Sequence, residues 1–179
     1  MVVSVRELQR SPGAMRALEE RIGAPEEFGT PTIGIPAGSD IELDLRLEAV
    51  HEGVLVSGTA TARAAGECVR CLDPIAYDLT VDVQELFFTD PEPATDEDGE
   101  ALPRVEHESV DLEPLLRDAF VTDLPFQPVC KPDCQGLCPQ CGVRLEDHPG
   151  HRHESRDPRW DALESLLTDP GETDQRKSN

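Results

Sequence analysis

Aromatic side chains are scarce in this chain, with one Trp, one Tyr and five Phe among 179 residues, so its core has to be modest and built mainly from Leu, Val and Ile. Basic residues are scarce too. Sixteen Lys and Arg stand against 37 Asp and Glu, for a net charge of −21. Nucleic-acid binding relies on basic groups that displace counterions from phosphates, so this chain is not expected to bind naked DNA or RNA over a broad surface. Long apolar runs are absent as well: no 18-residue apolar stretch occurs, and the start, MVVSVRELQR, has neither the apolar run nor the small-residue cleavage site of a secretory signal. A cytoplasmic protein with no membrane partner is the expectation. Thiols stay reduced in that compartment, so paired cysteines are read as metal ligands rather than disulfides.

The chain is long enough for one ordinary domain with a small metal-bound module. Ser11-Pro12 suits a helix start, and Met15, Leu18 and Ile22 fall on one helical face, which predicts a short helix over 12–22. Residues 23–40 hold four glycines and three prolines without a period and are expected to be loop. Three alternating runs follow, at 41–50, 54–64 and 75–83, and predict a three-stranded antiparallel meander. Residues 89–108 carry eight acidic residues and three prolines, as a mobile acidic loop would. A helix capped by Asp111 should present Leu112, Leu115, Leu116, Ala119 and Phe120 to the sheet, and a last short helix should follow Asp157-Pro158 with Trp160 and Leu163. The fold class expected is α+β: an antiparallel sheet, open or partly closed into a barrel, flanked by short helices. Its core would occupy 1–125, a Cys/His module 126–168 and a disordered tail 169–179.

The densest chemistry lies in CKPDCQGLCPQCGVRLEDHPGHRH, from Cys130 to His153, where four cysteines and three histidines fall within 24 residues. Cys138-Pro-Gln-Cys141-Gly142 has the form of a zinc knuckle, in which a two-residue spacer lets both thiolates face one ion and glycine permits the turn. Cys68-Val-Arg-Cys71 supplies a second pair in the connection between two expected strands. Two pairings are open. In one, Cys138, Cys141, His151 and His153 close a local site, while Cys130 and Cys134 reach back to Cys68 and Cys71. In the other, a single ion lies between the knuckles Cys68/Cys71 and Cys138/Cys141. His148 is a further candidate that could replace either later histidine. Histidines and knuckle spacing favour Zn2+, one or two ions, over an iron–sulfur cluster. Four protein ligands leave no open position for water, so the zinc is expected to be structural.

These residues resemble the YceD family, named for large ribosomal RNA subunit accumulation. The resemblance is carried by CVRCL at 68–72, DLP at 123–125, CKPDCQGLCPQCG at 130–142 and DPRWDALESL at 157–166, and it looks like the high-GC Gram-positive version. A common form of the family ends the cluster in C-x-C, where this chain has His151-Arg-His153. The resemblance implies a non-enzymatic ribosome biogenesis factor that supports accumulation of large-subunit (23S) ribosomal RNA. It also implies a basic large-subunit ribosomal protein or a pre-ribosomal particle as partner, and an acidic chain would attract such a protein. Alternatives from other classes are a metal-dependent RNA-processing enzyme, for which Glu67, Asp73 and His107 would be the nearest acid–base groups, and a zinc reservoir or sensor.

Overall fold

In a computed structural model, the described residues are 1–153 except 12, 90–94, 96–98 and 100, so the helix expected after Asp157 and the expected tail lie outside them. The chain forms two compact units, Met1–Gly136 and Leu137–Asn179. The first is organised around three long strands, β5 (Asp40–Ala49), β6 (Gly53–Glu67) and β7 (Pro74–Phe88), preceded by β1 (Val2–Ser4), β2 (Met15–Gly23), β3 (Phe28–Gly29) and β4 (Ile33–Ile35). After them come β8 (Ser109–Asp111) and α1 (Glu113–Asp123), the one α-helix among the described residues.

The expected meander is present. In β5 buried and exposed residues alternate strictly from Asp40 to Leu47, as one wet and one dry face require. β6 is the centre: its one edge pairs with β5 over Val54–Ala62 and with β4 at Ala65 and Gly66, and its other edge pairs with β7 along the whole strand, always antiparallel. The order β2-β5-β6-β4-β3, with β7 on the far side of β6, does not close on itself. The sheet is therefore open, not a barrel. β1 and β8 form a separate two-stranded ribbon.

Three expectations are corrected. Residues 15–23 form an edge strand, paired with β5 over nine positions, instead of a helix. Leu18 is buried and Ile22 partly so, and a spacing of four satisfies both a helical face and the period of two. The exposure of Met15, at 59%, separates the two, and a nine-residue ladder overrides the helix propensity of Ala, Leu and Glu. Within the expected loop 23–40, two short strands carry Phe28, Ile33 and Ile35, all fully buried, yet neither is long enough to show a period. The described end of the acidic loop is tied down: Phe88 donates to the Pro103 carbonyl and Val105 to that of Phe88, both at 2.9 Å.

The main helix forms where expected, though its N-cap is Leu112, one residue after the expected cap Asp111. Asp111 accepts a hydrogen bond from the Glu113 amide at 3.0 Å, and Leu112, Leu116 and Phe120 are fully buried in the core shared with the sheet, with Leu115 and Ala119 packed against it. Arg117 leaves this stripe sideways, its guanidinium 4.6 Å from the centre of the Phe28 ring and bonded to Glu26 and Glu113. That contact pins α1 to β3. Phe120→Ala should destabilise the protein by about 3–5 kcal/mol in urea unfolding, whereas Met15→Ala should change stability by less than about 0.5 kcal/mol. Equal losses at the two positions would contradict this arrangement.

Candidate metal centres

β6 stops at Glu67 and β7 starts at Pro74, which leaves six residues, Cys68–Asp73, to reverse the chain. Two hydrogen bonds close this turn: Leu72 donates to the Cys68 carbonyl at 2.9 Å, and Cys68 donates to that of Asp73 at 2.8 Å. The same pair of bonds recurs in the second unit, where Gly142 donates to Cys138 and Cys138 to Val143, both at 2.8 Å. CVRCLD and CPQCGV are thus the same knuckle made from different residues. In each, the residue after the second cysteine is left-handed, Leu72 at φ 62° and Gly142 at φ 71°. A Cβ at Gly142 would meet nothing within 4 Å, so glycine is favoured there by conformation rather than by space.

The first knuckle is completed by the segment after α1. Val69 donates to the Pro128 carbonyl at 2.9 Å, and the Arg70 guanidinium donates to the carbonyls of Cys134 and Pro132 at 2.9 and 3.3 Å. Gly136 (φ 77°) passes so close that a Cβ there would sit 2.7 Å from the Arg70 carbonyl. These contacts bring Cys130 and Cys134 to Cys68 and Cys71. The Sγ atoms of Cys68 and Cys134 are 3.8 Å apart, those of Cys71 and Cys130 3.6 Å, and all four lie within 4.8 Å of one another. A disulfide would need about 2.05 Å. A tetrahedral ion with bonds of about 2.3 Å spaces its sulfurs about 3.8 Å apart, so the four thiols fit one zinc.

The second group is Cys138, Cys141, His151 and His153, again within 4.8 Å. The Nε2 atoms of His151 and His153 are 2.8 Å apart and lie 3.3 and 3.2 Å from the Cys141 sulfur, converging on one point. His148 stays outside this group, its Nδ1 3.2 Å from the Arg144 carbonyl. The structure therefore shows the first of the two pairings. The two groups differ in exposure: Cys68, Cys71 and Cys134 are buried, whereas in the second only Cys138 is.

Protonation shows what a cation would contribute. Burial opposes ionisation of Cys68, but the backbone amides of Cys130, Arg70 and Cys71 aim at its sulfur, and the thiol is lowered to about 6. Cys71 moves the other way, to about 12. The Asp73 amide favours its thiolate, but burial and the sulfurs of Cys68, Cys130 and Cys134 oppose a second negative charge there. Cys130 is raised chiefly by burial, and Cys138 is lowered by the Gln140 amide against its own burial. The four-sulfur group thus holds protons that a divalent ion would displace on binding. Sequence reasoning named all eight candidate ligands but missed Arg70 and Gly136. Arg70 lies between the first two cysteines and Gly136 only two residues past Cys134, and those positions were the available signal.

The family model for the large ribosomal RNA subunit accumulation protein YceD matches residues 56–167, well over half of the chain. The chain belongs to the YceD family. Its matched part begins inside β6 and contains β7, α1 and both Cys/His groups, so it includes the four-cysteine clasp and the turn and segment that the clasp brings together. Among similar proteins, an uncharacterized protein of Mycobacterium tuberculosis is 48% identical over 97% of this chain and 84% of its own length, and one of Mycobacterium leprae is 39% identical over 93% and 77%. No solved structure matches the chain.

Zinc per chain, measured by elemental analysis on protein purified without chelator, should be two, falling to one in Cys68→Ser and to one in Cys138→Ser. Loss of all zinc in both variants would contradict the grouping and favour a single ion between the knuckles.

Proposed function

We propose that this YceD-family chain is a non-enzymatic ribosome biogenesis factor, cytoplasmic, that supports accumulation of large-subunit ribosomal RNA by binding a basic large-subunit ribosomal protein or a pre-ribosomal particle. Its family supports the ribosomal part of this reading. The observation that carries the rest is the charge: a chain at −21 draws basic proteins in and repels free RNA. Both Cys/His groups supply four side-chain ligands, which suits structural zinc and leaves no ligand position for a reacting water. Zinc in these places would act on shape. The first group would hold the β6–β7 turn to the segment after α1, and the second would fold Cys138–His153 upon itself, while partner binding is left to the protein surface. No described helix is long and apolar enough to cross a membrane.

Affinity capture with purified large-subunit ribosomal proteins, washed at rising salt, tests this reading. A specific basic protein should be retained at low salt and released as screening grows. Absence of enrichment at every salt concentration would overturn it, and cleavage of ribosomal RNA by the purified protein would replace it with an enzyme.

A further inference from the structure

β7 pairs with β6 along its full length and with no other described strand. Among the described residues, its far edge is covered at one end only, where Phe88 exchanges hydrogen bonds with Pro103 and Val105. From Thr80 to Leu86, no backbone bond from another described segment reaches that edge. A groove of about 1120 Å³ lies beside it, and every residue from Thr80 to Glu85 lines it. Successive side chains of a strand point to opposite faces, so a cleft that touches all of them runs along the edge of the strand, not over one face. α1 forms the other wall through Leu115 and Ala119, and residues 101–104 contribute to the lining.

The edge is a ready template for another strand, and the groove specifies which kind. Asp82, Asp118 and Asp123 make no ion pair with a described residue, and Glu85 and Glu106 add to the same field, so carboxylates outnumber the basic groups of the lining, Arg104 and His107. Val81, Val83 and Leu115 supply apolar surface between these charges. A second copy of this chain would bring the same carboxylates face to face on molecules of −21 each, and RNA would be repelled. The complementary occupant is an extended protein segment that alternates basic and apolar side chains. We propose that such a segment of a basic partner docks in this groove as an added strand on β7, its main chain pairing with the open edge, its Lys or Arg side chains on the face of Asp82 and its apolar side chains toward Leu115 and Ala119, with Asp118 and Asp123 adding to the attracting field. The identity of that partner as a ribosomal protein rests on the function proposed above; the groove and its preference do not.

Two arms separate the ideas. In the first, large-subunit ribosomal proteins are captured by the wild-type chain, by Asp82→Lys/Asp118→Lys, and by a control with equal charge change, Glu19→Lys/Asp44→Lys, on the exposed face of β2 and β5. All four positions are exposed, so the fold tolerates the changes. Retention should fall at least about tenfold in the groove variant and stay within about twofold in the control. In the second, a labelled peptide of about eight residues alternating Val and Lys is compared with the same peptide N-methylated at alternate residues, which keeps the charge but removes the strand's donors. The unmodified peptide should bind the wild-type chain at least about tenfold more tightly and protect the amides of 80–86 from hydrogen exchange. Equal binding of the two peptides, or ribosomal capture unaffected by the groove variant, would overturn the proposal. Peptide discrimination without any ribosomal capture would leave the groove standing and remove the ribosomal reading.

Discussion

Four sulfur atoms hold together parts of the chain that are far apart in sequence. The pairs Cys68–Cys134 and Cys71–Cys130 span 66 and 59 residues, and the ends they join are the turn of the longest hairpin and the segment that leaves the main helix. Closing loops of that length costs chain entropy that backbone hydrogen bonds at a turn offset poorly, and an ion shared by the four thiolates would offset it. The clasp also explains local features that otherwise look unconnected. Arg70 bonds two carbonyls of the opposite segment, Gly136 has no side chain where Arg70 crosses, and Leu72 accepts a left-handed conformation so that Cys71 can face inward.

Much of this was legible before any coordinates. Ligand types and spacing named all eight ligands and offered the observed grouping as one of two pairings, because the knuckle spacing is short and local; which cysteines meet Cys68 and Cys71 was left to the structure. The three long strands were legible because each buries one face against the core, so their alternation is clean. What failed, failed for want of a period. Leu18 and Ile22 fit a helix and a strand equally, and the strand was decided by β5, whose paired residues, from Asp40 opposite Gly23 to Glu48 opposite Met15, lie beyond any local window. Phe28 and Ile33–Ile35 reach the core from strands of two and three residues, hidden among glycines and prolines. The openness of the sheet depends on whether the free edge of β7 meets another strand of the sheet, and nothing in the pattern of β7 fixes that.

Charge and metal divide the work between them. Zinc on four thiolates leaves about two negative charges and zinc on two thiolates and two histidines leaves none, so metal does not convert this acidic chain into an RNA-binding one. On the function proposed above, the metal groups would set shape and the carboxylates preference. Several carboxylates line the groove beside the β7 edge, which no other described strand covers. The residues shared with the YceD family, from β6 onward, include the clasp, that edge and the helix that walls it.

The central claim is that both Cys/His groups are closed by protein side chains. X-ray absorption fine structure at the zinc edge on the fully loaded protein tests it most directly. Averaged over two sites of four sulfurs, and of two sulfurs with two nitrogens, each zinc should show three sulfur ligands at about 2.3 Å and one imidazole nitrogen at about 2.0 Å. An oxygen ligand from water, or a spectrum of four sulfurs with no imidazole, would contradict the account.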